Sequence, residues 1–75
     1  MKTKKKEVAL NKRIWCKIRY YQQLNDLTNA ELAAYLGVCE RTLAEYDKNA
    51  EAITLGKIDK FLQSEDINLE ELMSL

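Results

Sequence analysis

The stretch Thr28 to Gly37, T-N-A-E-L-A-A-Y-L-G, starts and stops a helix within one short segment, and nothing else in the chain constrains the fold as strongly. Thr28 and Glu31 form a T-x-x-E capping box, in which the Thr hydroxyl accepts from the Glu31 amide and the Glu31 side chain reaches back. Gly37 follows where a left-handed residue is needed to end the helix. This second helix, Thr28 to Leu36, buries Leu32, Ala33 and Leu36, and another helix must begin almost at once.

The same reading extends in both directions. Leu10, Ile14, Ile18 and Tyr21 recur every three or four residues, so Leu10 to Leu24 is expected to be an amphipathic first helix with Trp15 at the edge of its buried stripe. Asn25 and Asp26 favour the turn that ends it. A third helix is expected over Cys39 to Lys48, with Val38, Leu43 and Tyr46 turned inward and Glu40, Arg41, Ala44, Glu45 and Lys48 turned away. Asn49 suits a left-handed closing position, Ala50 to Ile53 read as a loop, and Thr54 caps a fourth helix that buries Leu55, Ile58, Phe61 and Leu62. Asn68 with Glu71 repeats the capping signature before a short fifth helix with Ile67, Leu69, Leu72 and Met73. The expected fold class is all-α: five short helices and no strand.

Composition narrows the function classes. A chain of 75 residues is one small domain that buries only about 60% of its unfolded surface, with no room for an enzyme cleft of ordinary size. The absence of Pro favours uninterrupted helices. With no His, no metal set, no phosphate loop and no nucleophile–base pair, neither catalysis nor a cofactor is expected. No apolar run suffices to cross a bilayer and no signal-peptide core follows Met1, so a cytoplasmic protein with no membrane association is expected. Cys16 and Cys39 match no redox spacing and read as reduced, one packed and one partly exposed.

Net charge is zero, but its placement is uneven. Residues 1–25 hold eight Lys and Arg against Glu7 alone, a net of +7, so the remainder nets −7. Residues 1–9 read as a basic arm ahead of a helical domain at 10–75, and Lys4, Lys5 and Lys6 within it suit an anionic partner. A solvated terminal tail explains the same run equally well.

Thr28 to Asp47, T-N-A-E-L-A-A-Y-L-G-V-C-E-R-T-L-A-E-Y-D, resembles the helix-turn-helix of phage repressor and Cro-type regulators. Ala33 is small where the third helix crosses close above it, Gly37 makes the tight turn, and Val38, Leu43 and Tyr46 fill the wedge. The likeness continues through Leu27, through T-L-x-x-I at Thr54 to Ile58 and through N-L-E-E-L at Asn68 to Leu72, so it covers about residues 10–73. It implies a compact repressor-like domain, a third helix entering the major groove of double-stranded DNA, and homodimers on a pseudo-palindromic operator.

Carried over by position, the resemblance makes Cys39, Glu40, Arg41, Ala44 and Glu45 the base-reading candidates. Arg41 suits guanine, Glu40 or Glu45 suits cytosine N4, and the Ala44 methyl suits thymine. Thr28 and Asn29 fall at the phosphate-positioning helix end, and Lys48 with Asn49 at the second backbone contact. Simpler roles exist: Arg41 with Glu45, or Glu45 with Lys48, can pair along a helix surface, and Thr28 caps its helix with or without DNA. The chain departs from its relatives at Cys39, where Ser is common, at Asn29, where Gln is common, and at Gln22 and Asp47, which stand where relatives link the first and third helices through Arg and Glu. Cys39 to Lys48 nets −1, which adds repulsion toward phosphate unless the arm compensates. Two functions follow: a sequence-specific DNA-binding regulator, or a modulator whose acidic face contacts another, basic regulator. The apolar carboxyl end, Ile67 to Leu75, is the candidate dimer patch.

Overall fold

Three helix starts, those led by Thr28, Thr54 and Asn68, follow caps written into the sequence. In the structure, a computed structural model that describes residues 9–75, five α-helices run in order: α1 Leu10–Leu24, α2 Asn29–Leu36, α3 Glu40–Lys48, α4 Leu55–Glu65 and α5 Leu69–Met73. Among the described residues there is no strand. Lys4, Lys5 and Lys6 lie outside the described residues.

Both capping boxes form. The Glu31 amide donates to Thr28 Oγ1 at 3.1 Å and the Thr28 amide to Glu31 Oε1 at 2.8 Å; at α5 the Glu71 amide donates to Asn68 Oδ1 at 2.7 Å and the Asn68 amide to Glu71 Oε1 at 2.9 Å. Thr54 caps α4 by accepting from the Lys57 amide at 3.3 Å. Gly37 is left-handed at φ +76°, as its place at the end of α2 requires, and Asp26 and Asp66 take the same conformation after α1 and α4.

The core gathers one stripe from each helix. Ile18, Leu32, Leu36, Phe61 and Leu72 are completely enclosed, and Ile14, Leu43, Ile53 and Ile58 nearly so. α2 packs on α3 and α4, while α1 packs on α5 and on a 3₁₀ turn at Ala50–Ala52. Tyr21 ties α1 to α4: its ring meets Phe61 edge to face at 5.5 Å, and its hydroxyl donates to Glu65 Oε1 at 2.8 Å. Burial, with that carboxylate beside it, pushes the Tyr21 phenol up to about 12.

Several expectations are corrected. Leu10 and Leu55 are 53% and 75% exposed, each standing at the first position of its helix. Leu69, first in α5, is exposed likewise, and Leu72 fills the core in its place. Trp15 is no edge residue: at 3% exposure it is central, its ring meeting Tyr46 of α3 edge to face at 5.2 Å. Asn49 is not left-handed (φ −148°, ψ 88°); its side-chain oxygen accepts from the Glu51 amide, which winds residues 50–52 into the 3₁₀ turn instead of an open loop. Both cysteines are free and exposed, so neither is packed. Among the described residues no helix is long and apolar enough to cross a membrane.

Candidate functional site

α3 is held by one face. Leu43 and Tyr46 are buried, whereas Cys39, Glu40, Arg41, Ala44, Glu45, Lys48 and Asn49 are all exposed. The connection from α2 is tight: the Gly37 amide donates to the Ala34 carbonyl at 3.1 Å and the Val38 amide to the Ala33 carbonyl at 2.9 Å. These bonds satisfy the last carbonyls of α2 and leave only Val38 and Cys39 before α3 begins. Lys60 lies across the turn, its Cε only 2.7 Å from where a Gly37 Cβ would stand.

Cys39 is the N-cap of α3 but makes no side-chain bond to the helix backbone. Its sulfur sits 3.3 Å from Thr42 Oγ1. The Thr42 hydroxyl is the largest of the influences that hold this exposed thiol below its ordinary pKa, and Arg41 adds a smaller pull. Arg41, Glu45 and Lys48 enter no ion pair among the described residues, so the surface pairs along α3 do not form and these side chains stay available.

The other end of α3 is fixed by a polar cluster. Arg19 of α1 grips Asp47 with two bonds, Nη2 to Oδ2 at 2.8 Å and Nε to Oδ1 at 3.1 Å. The buried Trp15 ring donates Nε1–H to Asp47 Oδ1 at 2.8 Å and carries the Arg19 guanidinium 5.3 Å from its ring centroid. The Arg19 bonds hold the Asp47 carboxyl below the usual carboxylate range and the Trp15 N–H assists, against a partial desolvation that opposes them. The link between the first and third helices is thus present, but its Arg comes from Arg19, one turn before Gln22.

Gln22 has another task. It is 8% exposed, accepts from Arg19 Nη1 at 2.7 Å, and donates through Nε2 to the Leu27 carbonyl at 3.1 Å and to Asn29 Oδ1 at 3.0 Å. Arg19 Nη1 also donates to Asn29 Oδ1 at 3.0 Å. Arginine can only donate, so the oxygen of the Asn29 carboxamide must face inward. Its –NH₂ therefore points away from the cluster at the first turn of α2, where the helix dipole favours a negative partner. Thr28 stands beside it, exposed, with its hydroxyl engaged in the capping box.

Cys39, Glu40, Arg41, Ala44 and Glu45, with Thr28, Asn29, Lys48 and Asn49, are legible as candidates from sequence; Arg19 and Trp15 are not. One signal existed: Arg19 precedes Gln22 by about one helical turn and so shares its face. Compared with protein-family models, curated proteins and solved structures, the chain gives no match.

Proposed function

We propose that this chain is a sequence-specific DNA-binding regulator in which α2, the Gly37 turn and α3 act as a helix-turn-helix. The observation that carries the reading is α3 itself: an outward row of Cys39, Glu40, Arg41, Ala44 and Glu45 on a helix clamped from behind by Leu43, Tyr46 and the Asp47–Arg19 bond. A rigid, solvent-facing helix of this length fits the major groove. Arg41 donates a bidentate pair to guanine O6 and N7, Glu40 or Glu45 accepts from cytosine N4, and Ala44 meets a thymine methyl. Asn29 donates its outward amide to a phosphate, and Lys48, Asn49 and the arm lysines Lys4, Lys5 and Lys6 supply the remaining backbone contacts. Two copies on a pseudo-palindromic operator complete the proposal, meeting through the carboxyl end, where Leu69 and Leu75 are exposed.

The test is selection of bound duplexes from a random DNA pool at two salt concentrations. A defined site should emerge, Arg41→Ala should cost about 1–3 kcal/mol at one base position, and each arm lysine removed should lower the salt slope by about one. An empty selection, or affinity indifferent to salt, refutes the reading. A second reading rests on charge: residues 9–75 carry eight Lys and Arg against eleven Asp and Glu. On that reading the same face binds a basic regulator, and Glu40→Arg with Glu45→Arg abolishes that contact while strengthening non-specific DNA binding.

A further inference from the structure

The outward side of α1 has no role in either reading. From Leu10 to Leu24 this helix carries Lys12, Arg13, Lys17 and Arg19 and no carboxylate at all. Along it Cys16, Tyr20 and Leu24 recur every fourth residue and are exposed, Tyr20 at 47% and Leu24 at 54%. A stripe of apolar character thus faces solvent opposite the one that builds the core. Beside it lies a groove of about 650 Å³ between α1 and the end of α3, with Trp15 and Tyr46 in its floor, Cys16 and Tyr20 on one wall, and Lys12 and Lys48 at its rim.

We propose that this groove and the Cys16–Tyr20–Leu24 stripe dock an acidic amphipathic segment of a partner protein. Aromatic and apolar walls accept its apolar side chains, and Lys12, Arg13 and Lys48 pair with flanking carboxylates. Two carboxylates also line the groove, Asp47 and Glu51, but Asp47 is already held by Arg19. Charge selects among occupants. The α1 face of a second copy presents the same cations and no anion, so pairing of α1 with α1 sets like charges against each other. Residues 1–8, with four Lys against Glu7, carry the same sign as the rim. A nucleic-acid backbone matches the cations but has no use for the apolar stripe.

The test is a selection of random linear peptides displayed on phage against the full-length chain, with an enriched peptide then titrated into the isotope-labelled protein. Enriched peptides should be net negative with apolar residues at helical spacing, and should shift the amides of Lys12, Cys16 and Tyr20. Tyr20→Ala and Lys12→Glu, both at exposed positions, should each weaken the peptide about tenfold or more at unchanged thermal stability. Tyr20→Ala should leave duplex affinity unaltered, so loss of the peptide and loss of DNA binding are separate results. The proposal fails if no peptide is enriched, if enriched peptides are neutral or basic, if the shifts map elsewhere, or if dilution of the protein or added duplex moves the same amides.

Discussion

Replacing Asp47 separates two things that a single carboxylate does: it balances Arg19 and it accepts from Trp15. The Trp15 N–H is enclosed and has Asp47 Oδ1 as its acceptor. Asp47→Ala strands that donor, which costs about 1–3 kcal/mol, and also removes an ion pair. With Asp47 47% exposed, solvent screening limits the pair itself to about 0–1 kcal/mol. The total for Asp47→Ala is then about 1–4 kcal/mol, with a middle value of about 2.5 kcal/mol. Asp47→Asn keeps an oxygen for Trp15 but loses the charge and turns an –NH₂ toward Arg19 Nη2, which removes that bond as well, together about 0.5–1 kcal/mol. For a domain of this size 1 kcal/mol moves Tm by about 4–8 °C, so at these middle values the two variants should fall about 10–20 °C and about 5 °C below the parent in a thermal melt at neutral pH. Because the folded carboxyl is depressed, the contribution of its charge is complete above the unfolded value near 3.9 and is lost as pH falls through the lower folded value. The gap between parent and Asp47→Asn should therefore close in acid, while the gap between Asp47→Asn and Asp47→Ala should persist. Equal losses for the two variants at neutral pH would refute the assignment of the larger share to the Trp15 bond.

Three further outcomes follow. Gly37→Ala should cost about 1–2 kcal/mol in urea unfolding, chiefly from a left-handed Cβ, because Lys60 is flexible enough to move aside; Gly37→Asn should cost less. Thr28→Ala should cost about 1 kcal/mol by removing one half of the α2 capping box, read in the same assay. Cys39 should be alkylated more slowly in Thr42→Val than in the parent at neutral pH, since the hydroxyl that favours the thiolate is gone; an unchanged rate rules out that role for Thr42.

The parts of the fold that sequence made legible are those fixed by local chemistry. Capping boxes at Thr28 and Asn68, the left-handed Gly37 and the three- and four-residue spacing of Ile14, Ile18, Leu32 and Leu36 each depend on neighbours within a turn or two. Periodicity marks a face without saying how far a neighbouring helix reaches along it, and so it assigned Leu10 and Leu55 to the core. It also ranked Trp15 below Tyr21, though the larger ring faces α3 and has Asp47 for its polar edge, while Tyr21 keeps its hydroxyl near solvent with Glu65. At the candidate site, the exposed row on α3 followed from its pattern. The orientation of the Asn29 amide did not, because it depends on Arg19 and Gln22 arriving from another helix.

That distant contact also changes the electrostatic case against DNA. Summed along the sequence, Cys39 to Lys48 is net negative, but the sum treats Asp47 as though it faced the same way as Glu40 and Glu45. In the fold Asp47 is turned back onto Arg19 and Trp15, and its charge is compensated there. What α3 leaves uncompensated is Arg41 and Lys48 against Glu40 and Glu45, which cancel. Glu40 lies in the first turn, where the helix dipole stabilises a carboxylate without any partner, and Lys48 lies in the last turn, where it stabilises a cation. The charges of α3 are thus arranged to suit the helix first. Any net attraction to phosphate has to come from elsewhere on the chain, and the arm lysines carry the largest excess available for it.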